Sequence, residues 1–139
     1  PPQSYFKMKV VIDCNVSCLS GKSFCHEIIK ALYQGKFTLV LSTEIYFEYR
    51  EKLSEKYSAH VVNAFWEAIE MSPFVKSYIN YYSWNLIKND GDDNKYTDIY
   101  IAASADYLVT EDGHFNQLKK IDFPKINIVS IDGFLNVIA

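Results

Sequence analysis

Asp13, Asp98 and Asp112 are the residues whose positions first suggest chemistry. Asp13 ends the β-branched run KMKVVID, and Asp112 follows the run YLVT by two residues. Side chains alternate along extended backbone, so Asp13 and Asn15 point one way and Cys14 the other, while Thr110 and Asp112 share a face. Asp98 falls in a helical stretch where the residues three, four and seven positions on are Ile101, Ala102 and Ala105. A carboxylate on that apolar stripe is poorly solvated and needs a cation. Glu48 is less telling, because Glu44, Glu48, Glu51 and Glu55 form one acidic stripe with Lys52 four residues beyond Glu48, the pattern of a solvated helix face. Crowded carboxylates repel one another unless a divalent cation lies between them or some hold protons. Their hard oxygens suit Mg²⁺ or Mn²⁺.

The elements that must position these acids follow from the pattern of apolar residues. Strands are expected at Lys7–Asp13, Thr38–Leu41, the first half of Val75–Trp84, Tyr107–Thr110 and Ile126–Ser130. Between them, Ser23–Tyr33 carries Phe24, Ile28, Ile29 and Leu32 at helical spacing, with Gly35 at the stop. Ser42 or Thr43 can cap a helix with Ile45, Tyr49 and Leu53 inward, and Ser58–Met71 follows with a stripe of Val61, Val62, Phe65 and Ile69. After the acidic turn NDGDDN, Lys95–Ala105 places Tyr96, Ile99, Tyr100 and Ala103 on one face, and a short helix from Ile131 ends the chain. Strands alternating with helices imply a three-layer α/β/α sandwich around a mostly parallel sheet of about five short strands. Ligands of such sheets sit outside the carboxyl ends of the strands, the rim on which Asp13 and Asp112 are expected.

At 139 residues, 49% of them hydrophobic, the chain suits a single domain with a real core. Pro1–Phe6 reads as a loose leader and residues 7–139 as the domain. The net charge of −3 argues against a protein that grips nucleic acid by bulk electrostatics, yet it suits a site that concentrates carboxylates around a cation. All the basic residues except Arg50 are lysines, so bidentate recognition of phosphate or guanine is sparsely provided for. Cys14, Cys18 and Cys25 form no C-x-x-C pair, which disfavours a disulfide framework or zinc ribbon and fits a reducing compartment. No apolar run has the length of about 18 residues that a membrane span requires.

The motifs together carry a resemblance. Asp13-Cys14-Asn15 after an apolar strand, Ser42 followed six residues later by Glu48 in EYREKL, and DDNKYTDIYIAASADYLVTED from Asp92 to Asp112 resemble the PIN-domain family, and within it the toxin components of toxin–antitoxin systems. The resemblance runs from Lys9 to Leu135, and the 92–112 block is its most specific part. It implies a prokaryotic, cytoplasmic, metal-dependent endoribonuclease that cleaves single-stranded RNA by attack of an activated water, leaving a 5′-phosphate and a 3′-hydroxyl. It also implies a cognate antitoxin and a homo-oligomer, expected as a dimer. Asp13, Glu48, Asp98 and Asp112 match the family's catalytic acids, with Asp13, Asp98 and Asp112 as the principal metal ligands. Asp93, Asn15 and Thr110 match its supporting positions. Cys14 and Glu111 depart from the usual pattern, and Glu111 would add negative charge beside the cleft. Lys22, Lys95, Lys119 and Lys120 are candidates for the RNA backbone, while Tyr78, Tyr81, Tyr82 and Trp84 suit packing better than base stacking.

Other chemistries fit less well. His26-Glu27 opens like a zinc-protease helix without the second histidine, and DGDDN resembles a calcium loop with its glycine misplaced. A phosphatase that uses a strand-end aspartate needs a second acid where Asn15 stands. His26, His60 and His114 read as surface or packing residues rather than ligands. The rival from another class is a PIN-like module that binds RNA or a protein and cuts slowly or not at all.

Overall fold

The computed structural model describes residues 8–13, 23–88 and 91–139, with the side chains of residues 23–26 and 68 outside that description. The leader, Cys14, Asn15, Cys18 and Lys22 therefore lie outside the described residues. The elements are β1 (Lys9–Ile12), α1 (Ser23–Tyr33), β2 (Thr38–Leu41), α2 (Thr43–Lys56), α3 (Ala59–Met71), β3 (Val75–Ser77), α4 (Asn94–Ala103), β4 (Tyr107–Val109), β5 (Ile128–Val129) and α5 (Ile131–Ile138). Two 3₁₀ segments, Gly91–Asp93 and Gly113–Lys120, complete the described set.

The strands form one sheet in the order β3-β2-β1-β4-β5, and every pairing is parallel. Val10 faces Leu39 on one side, and Val11 and Ile12 face Leu108 and Val109 on the other. Successive residues of a strand point to opposite faces, yet Val10, Val11 and Ile12 are all buried, as are Thr38 to Leu41. Both faces of the central sheet are covered, as a parallel α/β sheet requires.

Local signals set the helix ends. Ser42 accepts a hydrogen bond from Ile45 N at 3.2 Å and caps α2, whose buried side chains are Ile45, Tyr49 and Leu53 as expected. After α1, Gly35 takes φ +71, the left-handed conformation suited to glycine, and a Cβ there would stand 2.6 Å from the Phe74 ring. In α3 the inner stripe is Val62, Trp66 and Ile69, whereas Val61 is 48% exposed. The stripe is rotated by one residue from the expected one because Trp66 packs against the rings of Tyr46 and Tyr49 on α2. Helix α4 lies on β1, β2 and β4, and Phe37 meets Phe134 of α5 edge to face at 5.1 Å.

Candidate active site

In this strand order the chain leaves β1 toward β2 on one side, and β4 returns on the other. The carboxyl ends of β1 and β4 therefore flank a topological switch point, where open parallel sheets leave a crevice. Asp13 follows β1 directly and Thr110 follows β4. Asp13 N donates to Val109 O at 3.0 Å, which extends the ladder one step beyond the last strand residue. Across the same gap Thr110 Oγ1 donates to Asp13 Oδ2 at 3.0 Å. That hydroxyl also accepts from Asp112 N at 3.0 Å. A single threonine thus fixes a buried carboxylate on one strand end and the backbone of a second acid on the other; Asp13 is 2% exposed and Thr110 5%.

Asp112 caps the 3₁₀ segment that follows it, its Oδ1 accepting from His114 N at 2.9 Å. Its side chain meets Asp93, which stands at the start of α4, and the imidazole of His114. One donor atom from each of Asp93, Asp112 and His114 lies within 4.8 Å of the others. Asp13 joins this group through Thr110, although its own oxygens lie outside it.

Asp98 lies on α4, outside that donor group. It is buried, as expected, and its Oδ1 accepts from Trp84 N at 3.0 Å. Its surroundings differ from the expected stripe, since Ala102 is exposed and the segment after β3 supplies the cover through Trp84. Burial raises its carboxyl above the ordinary value, the Trp84 amide opposes that rise, and the charge of Glu44 adds to it. Asp98 lines a cleft of about 300 Å³ with Glu44, Asn80, Ser83, Asn85, Asp92 and Lys95. Asn94 braces the same segment by exchanging side-chain hydrogen bonds with the Ile87 backbone, at 2.9 and 3.1 Å.

Glu48 is the partly buried member of its acidic stripe and reaches across to α4, where the Lys95 ammonium and the Tyr96 hydroxyl both bind its carboxylate. Lys95, expected at an RNA backbone, is thus engaged with an acid of the site. Glu111 turns away from the crevice; its Oε1 accepts from Ile131 N at 2.6 Å, at the first turn of α5, where the helix dipole favours a negative charge. Tyr81 and Tyr82 do not pack inward, being 90% and 65% exposed, while the Trp84 ring lies between those of Tyr82 and Phe123. Lys119 and Lys120 are exposed at the end of the second 3₁₀ segment.

His114, read from the sequence as a surface or packing residue, has its imidazole beside Asp112 and Asp93. The available signal was its place two residues after Asp112, where a turn can bring both side chains to one side. The donor set of Asp93, Asp112 and His114, two carboxylates and an imidazole within ligand reach, fits a divalent cation.

Strand order and acid placement define a parallel α/β domain with an acidic crevice at its switch point. The chain belongs to the PIN-domain family: residues 9–114 match the profile of the PIN domain. Among solved structures, a chain of VapBC2 from Rickettsia felis, crystallised bound to a DNA fragment from their promoter, has the same fold. The two superpose with a TM-score of 0.61 at 13% identity, covering 88% of this chain and 98% of that one. No curated protein sequence matches the chain significantly. Among the described residues, no helix is long and apolar enough to cross a membrane.

Proposed function

We propose that this protein is a cytoplasmic, divalent-metal-dependent endoribonuclease acting on single-stranded RNA, and the toxin of a toxin–antitoxin pair. The observation that carries the reading is the chain Asp13–Thr110–Asp112 at the switch point of a PIN-domain sheet, with Asp93 beside it. Asp93 and Asp112 would hold Mg²⁺ or Mn²⁺, with Asp13 and Asp98 as further acids of the rim. When bound, such an ion supplies Lewis-acid polarisation of a phosphodiester and a more acidic water.

The protein's own residues have separable tasks in this scheme. Thr110 fixes the orientation of the Asp13 carboxylate. Asp98, whose burial makes it a stronger base than an ordinary aspartate, would accept a proton at its carboxylate. Lys95 and Tyr96 hold Glu48 in place and limit the negative charge that a phosphate must approach. The cleft beside Asp98, lined by asparagine and serine side chains, offers neutral hydrogen-bonding groups to an unpaired nucleotide.

The similar Rickettsia chain was crystallised as part of VapBC2 on promoter DNA, which supports a protein partner here, an antitoxin, and assembly beyond the monomer. The decisive experiment incubates the protein with a labelled single strand of RNA in Mn²⁺ or in EDTA, beside Asp112→Asn. Cleavage only in Mn²⁺, lost in the variant, is the expected result. RNA left intact under every condition would overturn the reading, and RNA bound but uncut would favour a binding module.

A further inference from the structure

A donor of a different chemical kind stands among the acids of the crevice. His114 Nδ1 lies 3.4 Å from Asp112 Oδ1 and 3.8 Å from Asp93 Oδ2. Bonds from a first-row divalent ion to carboxylate oxygen or imidazole nitrogen are about 2.0–2.2 Å. Two donors on one ion are therefore about 3 Å apart at a right angle and about 3.4 Å apart at the tetrahedral angle. The observed separations are at or slightly above those edges, and the His114 side chain is 54% exposed. Its backbone is fixed to the acid it would work with, because His114 N donates to Asp112 Oδ1.

A surface imidazole beside carboxylates also forms an ordinary ion pair when protonated, but such pairs contribute little. The two roles differ in what a metal would sense. Mg²⁺ favours an all-oxygen octahedron that retains several waters, whereas imidazole nitrogen favours later first-row ions. We infer that His114 is a nitrogen ligand that biases this crevice away from Mg²⁺ and toward first-row transition ions. The inference rests on the reading that the crevice holds a divalent cation, and it adds the residue that sets which cations are preferred.

The test measures binding rather than cleavage. Mg²⁺ and Co²⁺ are each titrated calorimetrically into the full chain, with the visible absorption of Co²⁺ reporting nitrogen coordination. His114→Ala leaves the backbone cap intact and is expected to weaken Co²⁺ binding at least about tenfold, while Mg²⁺ affinity moves by less than about twofold. His114→Asp, which replaces nitrogen by oxygen, is expected to narrow the preference for Co²⁺ and shift its absorption. Equal losses for both ions, or no change for either, would overturn the assignment of His114 while leaving the nuclease reading standing. Failure of the unaltered protein to bind either ion would overturn both.

Discussion

Replacing Thr110 by valine tests the link that joins the two strand ends. Valine keeps the shape of threonine and its preference for extended backbone, but removes the hydroxyl that donates to Asp13 and accepts from Asp112 N. A hydrogen bond to a charged group is worth about 1.5–3 kcal/mol, and the part-buried Asp112 amide that loses its acceptor adds on the order of 1 kcal/mol. The expected loss is therefore about 3 kcal/mol, a large fraction of the roughly 5–15 kcal/mol typical of a domain. Thr110→Ser keeps the hydroxyl and loses one methyl, about 0.8 kcal/mol. Urea unfolding in EDTA, followed by tryptophan fluorescence, compares the two without a contribution from bound metal. If the valine variant falls within about 0.5 kcal/mol of the serine variant, the bridge contributes no more than packing, and the account of how Asp13 is held is wrong.

Asp98→Asn keeps an oxygen for the Trp84 amide and removes the buried charge and its repulsion with Glu44. Because the folded carboxyl titrates above 3.8, the native state holds the proton more tightly, and the protein loses stability as pH rises from 3.8 through the folded value. The variant should therefore melt higher than the original at pH 7 in EDTA, with the gap closing near pH 3; an equal gap at both pH values would refute this assignment. Glu111→Ala should cost about 1 kcal/mol in urea unfolding by exposing the α5 amide, with no change in metal affinity. Ser104 closes α4 at φ 53, so Ser104→Gly should stabilise by about 1 kcal/mol, and a loss of stability would show that its side chain contributes more than the strain costs.

The strands and the main helices were legible because their apolar residues recur with the period of the structure they form. Thr38 to Leu41 reads as a continuous apolar run because it is buried on both faces, and Ser42 announces the helix that follows. The segment Gly113–Lys120 escaped notice because a 3₁₀ turn aligns residues three apart, and its only inward pair, Phe115 and Leu118, is too short a pattern to weigh. The rotation of α3 depended on Trp66 meeting two rings of another helix, which no local period encodes. The site divides in the same way. Asp13 and Asp112 could be assigned to one rim from strand ends alone, whereas the pairing of Glu48 with Lys95 and the turn of Glu111 toward α5 are contacts between segments distant in sequence. His114 was read as a surface residue because one imidazole two residues from an acid is common on any protein surface.

The bond between Thr110 and Asp13 joins residues 97 positions apart. A ribosome synthesising this chain releases Asp13 well before the partner that orients it, which lies 97 residues further along. A product that stops before Thr110 therefore lacks the rim on which the proposed cutting depends.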